Sequence, residues 1–172
     1  MMNRKHLYNR GKAKVDSRKE IEGLSEECLK AAYRLLGYRQ RSEIELRNKL
    51  SAKFTKAAID TVIERLRDKH MVDDTAFAQN WRERRETLNP RSRRMVSIEL
   101  RQKGIDKEVI NKVLGSYNDE ENAYRAAKKK ANLLSKEGYD NFRRKISSFL
   151  MRRGFTYDVT KQMVDRLWRE LS

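Results

Sequence analysis

The sequence has little of what many small-protein scaffolds and sites are built from. Its 172 residues include one cysteine and two histidines, too few for a disulfide scaffold or for a zinc site made of these side chains. No apolar run approaches the roughly 20 residues that a membrane-spanning helix needs, and residues 1–20 lack the apolar stretch of a secretory signal. These absences predict a cytoplasmic protein that does not enter a membrane.

Proline and aromatic residues are scarce as well. One proline in the whole chain, with abundant Leu, Ala, Lys, Arg and Glu, favours helix nearly throughout. Only 8% of the residues are aromatic, and the mean hydropathy is −0.96, which is little apolar surface for one large core. The composition therefore predicts several small helical bundles, each with a narrow core of its own.

Catalytic motifs are missing from the sequence. It contains no P-loop, no dinucleotide-binding fingerprint, no nucleophile–base set and no constellation of metal ligands. We therefore expect neither enzymatic activity nor a cofactor.

Basic residues are what the chain has in excess. It carries 41 Lys and Arg against 25 Asp and Glu, a formal net charge of +16. So large a surplus repels itself and attracts a polyanion, and nucleic acid, or an assembly that contains it, is the first partner to consider.

One helix–turn–helix pattern occurs three times along the chain. The copies begin at Arg41, Arg93 and Arg143, and the last two match at a spacing of 50 residues. Apolar residues recur at nearly every matched position. Three leucines are expected to hold equivalent places in three cores: Leu50, Leu100 and Leu150. In the second and third copies, Gly104 and Gly154 mark the turn, where a residue with positive φ can close a helix.

A third helix is predicted before each of these pairs. The expected fold is therefore all-α, with three tandem three-helix modules, resembling helix-turn-helix repeats, in an elongated array. The predicted segments are a basic flexible leader over residues 1–23 and modules over residues 24–72, 73–117 and 118–172.

Basic side chains cluster at the two ends of the middle helix in the second and third modules. In the second module they are Arg91, Arg93, Arg94, Arg101 and Lys103, and in the third Arg143, Arg144, Lys145, Arg152 and Arg153. They flank inward-facing apolar positions, so we expect them to stay in water, where guanidinium groups suit both phosphates and carboxylates. We interpret them as candidate contacts to DNA or to an acidic protein surface; the alternative is a solvated face that only keeps the protein soluble.

Tyrosines are a second kind of candidate. Four lie at predicted helix ends or turns, and one or two of them could stack on bases: Tyr38, Tyr117, Tyr139 and Tyr157.

Several short runs, taken in order, carry a family resemblance. They are RSEIELRNKL from Arg41, DDTAFA from Asp73, IELRQKGI from Ile98 and FLMRRGF from Phe149. From about Leu24 to its carboxyl end, the chain resembles the bacterial RecX family. It departs from the family pattern in the first repeat, which reads SAKF where a glycine usually precedes the aromatic residue.

The resemblance implies a regulator of the RecA recombinase, in most cases an inhibitor. Such a protein lodges in the groove of the filament that RecA forms on single-stranded DNA, or at its end. There it suppresses ATP hydrolysis, filament extension and strand exchange in recombinational DNA repair and the SOS response. The family fold is three tandem three-helix modules. The partners it implies are the RecA filament and the single-stranded DNA within it, and we expect the chain to be a monomer.

Two other functions fit a basic chain of helical repeats. A tandem helix-turn-helix protein of the Myb type would bind DNA directly, but it should carry regularly spaced tryptophans, and Trp81 and Trp168 occupy unrelated repeat positions. An enzyme that acts on nucleic acid is disfavoured by the missing catalytic set. The sequence therefore favours the regulator of the recombinase.

Overall fold

The described part of the chain is entirely helical. A computed structural model describes residue 23 and residues 25–171, so the predicted leader lies almost wholly outside the described residues. Residues 25–38 form helix α1. Eight further helices follow: α2 (Glu43–Leu50), α3 (Lys56–Asp68), α4 (Asp74–Leu88), α5 (Arg93–Gln102), α6 (Lys107–Val113), α7 (Asp119–Leu133), α8 (Tyr139–Arg152) and α9 (Tyr157–Leu171).

Short polar side chains set where the helices begin. Ser42, Thr55, Asp106 and Asn118 each accept a hydrogen bond from a backbone N–H two or three residues further on, at 2.7–3.4 Å. Such side-chain caps satisfy N–H groups that have no partner within the helix.

The predicted role of glycine in the turn between the second and third helices of a module is confirmed in the second and third modules. The first module has a different turn. Gly104 and Gly154 have φ of +77° and +86°, a region that glycine enters without steric cost. In the first module the turn is one residue shorter. It closes with hydrogen bonds from the N–H groups of Lys53 and Phe54 to the carbonyl oxygen of Leu50, both at 3.0 Å.

The chain forms two compact units, which divide between Asp73 and Asp74. The described part of unit 1 is the first module, α1–α3. Its core consists of buried residues from all three helices: Cys28, Leu29, Ala32, Leu46, Leu50, Ala58, Ile59, Val62, Ile63 and Leu66.

Unit 2 contains the second module, α4–α6, and the third, α7–α9, each with its own core. Val96 and Leu100 of α5 pack with Ile110 of α6 in one core, and Ile146 and Leu150 of α8 lie in the other. As predicted, Leu50, Leu100 and Leu150 occupy the three cores, each at most 2% exposed. The predicted all-α fold of three tandem three-helix modules is thus confirmed.

The two modules of unit 2 are joined at the start of α5, where backbone N–H groups donate to the end of α8 and to α7. The N–H of Ser92 donates to the carbonyl oxygen of Arg153 at 3.1 Å, and the N–H of Arg93 donates to Asp119 Oδ1 at 2.6 Å. A Cβ on Gly154 would lie 2.2 Å from Met95 Cγ. Glycine is therefore required at position 154 for two reasons, the positive φ and the close packing against Met95.

No helix among residues 25–171 is both long and apolar enough to cross a membrane. The elongated arrangement of the modules and the segment boundaries at residues 23, 72 and 117 stay predictions.

Candidate functional site

All ten predicted basic residues lie in unit 2, on α5, α8 and the residues that flank them. The structure separates them into two groups. Four are engaged by groups of their own unit: Arg91, Lys103, Lys145 and Arg153. Six are exposed: Arg93, Arg94, Arg101, Arg143, Arg144 and Arg152.

Arg91 belongs to a network centred on Glu99, whose carboxylate is 12% exposed. That carboxylate accepts hydrogen bonds from Arg91 Nη1 at 2.8 Å, Arg85 Nε at 2.7 Å and the indole N–H of Trp81 at 2.8 Å. The hydroxyl of Tyr117 donates to the carbonyl oxygen of Arg91 at 2.9 Å. Arg91 therefore links α4, α5 and the segment that follows α6, and its guanidinium is only partly open to a partner.

Arg153 is partly buried where the second and third modules meet. Its Nη1 donates to the side-chain oxygen of Asn89 and, at 3.2 Å, to the carbonyl oxygen of Pro90. Its guanidinium carbon lies 4.4 Å from the centroid of the Phe149 ring. Burial, with the nearby charge of Arg91, lowers the pKa of Arg153 below its ordinary value. The expectation that these arginines stay fully in water is thus wrong for Arg91 and Arg153. Arg91 is held by Glu99 of its own module, and Arg153 is enclosed where the two modules meet.

The two lysines are also held by their surroundings. Lys145 Nζ lies 2.5 Å from Glu137 Oε1, so much of its charge is balanced locally. Lys103 Nζ lies 5.1 Å from the centroid of the Trp81 ring, within the range of a cation–π contact.

The exposed arginines repeat between the modules. Arg93 and Arg94 open α5, and Arg143 and Arg144 lie in α8 one 50-residue repeat later. Arg143 has a loose contact to Asp140 at 3.8 Å, and Arg144 donates to Asn141 Oδ1 at 2.8 Å. Within unit 2 as described, no carboxylate lies within ion-pair distance of three of the six: Arg94, Arg101 and Arg152.

The first module differs at the same repeat positions. Glu43 and Ile44 of α2 stand 50 residues before Arg93 and Arg94, and Glu43 binds Arg47 Nε at 2.7 Å. The repeated pair of exposed arginines is thus a feature of the second and third modules and is absent from the first.

The packing of α7 against α8 brings one further basic side chain to the exposed basic surface of the third module, Lys130, which the sequence did not indicate. Lys130 of α7 lies beside Arg144, Lys145, Ser148 and Arg152 of α8, and together these residues line a shallow groove of about 460 Å³. We call it the basic groove. Lys130 was missed because it is distant in sequence and belongs to a run of three lysines that looks like any solvated helix face.

A second groove, of about 530 Å³, lies between α8 and α9. It shares Arg144 and Ser148 with the basic groove and brings together Tyr139 and Tyr157, two of the four tyrosines noted as candidates. Of the others, Tyr117 is buried and Tyr38 is exposed in unit 1. Among the described residues no group of three His, Cys, Asp or Glu side chains is placed to hold a metal ion.

Comparison with known proteins agrees with the fold of three three-helix modules. Models of the first, second and third three-helix domains of RecX match residues 28–66, 73–114 and 118–164. The regulatory protein RecX of Chlorobium phaeobacteroides (strain BS1) is 36% identical over 140 residues, covering 80% of this chain and 91% of that protein. That of Prosthecochloris aestuarii is 33% identical over 141 residues, covering 81% and 93%. The crystal structure of RecX from Lactobacillus salivarius superimposes with a TM-score of 0.71 at 26% identity, covering 85% of this chain and 97% of that one.

Proposed function

Because the chain belongs to the RecX family of regulatory proteins, we propose that it is a negative regulator of the RecA recombinase. It acts as a monomer in the cytoplasm, in recombinational DNA repair and the SOS response. Its target is the filament that RecA forms on single-stranded DNA, bound along the groove or at an end. Binding inhibits ATP hydrolysis, filament extension and strand exchange.

The observation that carries the proposal is the repeated pair of exposed arginines. Arg93 and Arg94 in the second module correspond to Arg143 and Arg144 in the third, each pair in the first half of a middle helix. A repeated cationic pair suits a partner that itself repeats, such as the phosphates of a DNA strand or acidic groups on successive protomers of a filament. The charge of +16 supports the same kind of partner.

Inhibition by this chain is steric and energetic. A protein that binds one conformation of the filament more tightly shifts the filament towards that conformation by the difference in affinity. A tenfold difference corresponds to about 1.4 kcal/mol, which one hydrogen bond to a charged group can supply. ATP turnover in RecA then falls although this chain does not touch the nucleotide.

The test is the rate of ATP hydrolysis by RecA on single-stranded DNA, measured with increasing amounts of the full chain. We expect the rate to fall in the presence of the wild-type chain. A fourfold variant replaces four exposed arginines with alanine: Arg93, Arg94, Arg143 and Arg144. Its control is Arg84→Ala, which removes one exposed arginine of α4. The fourfold variant should inhibit weakly and Arg84→Ala should inhibit normally.

A second titration distinguishes binding to the filament from sequestration of the single-stranded DNA that RecA needs. If the chain inhibits only by covering bare strands, additional single-stranded DNA restores hydrolysis in proportion. If the rate of ATP hydrolysis by RecA is unchanged at concentrations of the chain that saturate bare DNA, the proposal is contradicted. That result would favour a protein that binds DNA directly.

A further inference from the structure

The groove between α8 and α9 presents an exposed apolar and aromatic lining. Tyr157 is 69% exposed at the start of α9, and Tyr139 and Met151 on α8 are also exposed. Tyr139 is fixed in place, since its ring packs edge-on against Trp168 at 5.4 Å and its hydroxyl donates to Asp165 Oδ1 at 3.2 Å. An exposed ring beside a fixed one offers a face on which a planar group can stack.

Thr160, which lines the same groove, is out of place for a core residue. Its repeat equivalents are Ile59 in the first module and Ile110 in the second, both buried. Thr160 is 1% exposed, and its hydroxyl has no hydrogen-bond partner. A buried hydroxyl without a partner destabilises the fold. The hydroxyl oxygen is closed off from the groove as well as from solvent, so Thr160 forms part of the groove wall and offers no hydrogen bond to a ligand.

The polar residues of this groove carry both signs of charge. Asp140 and Asp165 provide acceptors, Asn141 provides both an acceptor and donors, and Arg143 and Lys161 provide donors. Two carboxylates in the lining disfavour a phosphate inside the groove. A nucleobase fits better, because it is planar, carries donors and acceptors at its edge and has no net charge.

The adjoining basic groove has the complementary character. Arg144 and Arg152 recur at a spacing of eight on one face of α8, with Lys130 of α7 beside them. Arg144 and Ser148 line both grooves, so a phosphate bound in one lies next to a base bound in the other. This is the arrangement by which proteins bind single strands, with cations along the backbone and aromatic rings against the bases.

We propose that the third module binds single-stranded nucleic acid, with an unpaired base in the α8–α9 groove against Tyr157 and the neighbouring phosphates on Lys130, Arg144 and Arg152. The second module has no such site, since Asn89 and Lys107 stand where the third has Tyr139 and Tyr157. For its partner this inference rests on the proposed function, in which the strand is the one held by RecA.

The decisive experiment compares two strands of equal length by fluorescence anisotropy, one of thymidylates and one abasic throughout. The full chain should bind the thymidylate strand more tightly. Tyr157→Ala should weaken that binding about 5- to 140-fold, the range for losing one base–aromatic stack, and leave the abasic strand unaffected. Tyr157→Phe retains the ring and should retain the affinity. So should Ile44→Ala, which removes an exposed apolar side chain of unit 1.

Two further variants separate the contributions of the hydroxyl and the charge. Thr160→Val keeps the shape and removes a buried hydroxyl that has no partner, so the melting temperature should be unchanged or rise while binding to the thymidylate strand is retained. Arg144→Ala should weaken binding to both strands and reduce its salt dependence, with Arg84→Ala as the matched control.

The proposal is overturned if the wild-type chain binds the two strands equally, or if Tyr157→Ala affects both alike or neither. Unchanged strand binding with weaker inhibition of RecA by Tyr157→Ala would mean that a protein segment occupies the groove, which also overturns it. Failure of the proposed function is distinct from these outcomes: the wild-type chain would leave ATP hydrolysis by RecA unchanged, whatever Tyr157 does for the strand.

Discussion

Gly154 closes the turn after α8 under two separate constraints, and its replacement by alanine tests both. Its φ of +86° lies in the left-handed region, where a Cβ costs about 1–2 kcal/mol. A Cβ there would also lie 2.2 Å from Met95 Cγ and 2.7 Å from Ser92 Oγ, and such overpacking costs about 1–3 kcal/mol. We therefore expect Gly154→Ala to lower the free energy of unfolding of unit 2 by about 2–5 kcal/mol.

Tryptophan fluorescence during urea unfolding measures this loss, because both tryptophans of the chain, Trp81 and Trp168, lie in unit 2. Gly138→Ala is the matched control. Gly138 has φ of −62°, and no atom lies within 4 Å of the position that a Cβ would take, so its replacement should change stability by less than about 1 kcal/mol. Met95→Ala in the Gly154→Ala background removes the clash with Met95 and leaves the strained φ and the close approach to Ser92, so a double-mutant cycle isolates the clash with Met95.

Two results would refute this reasoning. If Gly154→Ala costs no more than Gly138→Ala, neither the left-handed turn nor the close approach of α5 is present. If the cycle shows no coupling energy, Gly154 and Met95 do not touch, and the two modules of unit 2 are not packed as described.

Three further predictions follow from the cores and the charged surface. Leu100→Ala should cost about 2–5 kcal/mol in the same unfolding assay, whereas Leu133→Ala, at a side chain 78% exposed, should cost less than about 0.5 kcal/mol; equal losses would contradict the core assignment. Glu99→Gln should destabilise unit 2 by about 1–3 kcal/mol, because Arg91 and Arg85 lose a charged partner, and an unchanged urea midpoint would show that the network contributes nothing. The fourfold arginine variant should reduce the slope of log affinity for the filament against log salt by about 0.7–1 for each phosphate that the variant no longer binds, and an unaltered slope would place these arginines away from the DNA.

Local features of the sequence determined the elements and the repeat. Apolar residues at spacings of three and four predict the helices, and the glycines at 104 and 154 predict the turns, because both depend on the conformation of a few neighbouring residues. The 50-residue repeat then places Leu100 and Leu150 in equivalent cores without any knowledge of the tertiary structure. The same repeat located the exposed arginine pairs in the second and third modules.

Only the tertiary structure decided which charges face a partner and what lies beside them. Arg93 and Arg153 look alike in the sequence, yet one is exposed and the other is enclosed where the two modules meet. Lys130 joins the basic groove and Thr160 lines the α8–α9 groove only because α7 and α9 pack against α8. Helix periodicity shows that a side chain is on an outer face, but whether that face meets water, a carboxylate or another module depends on interactions between residues far apart in the chain.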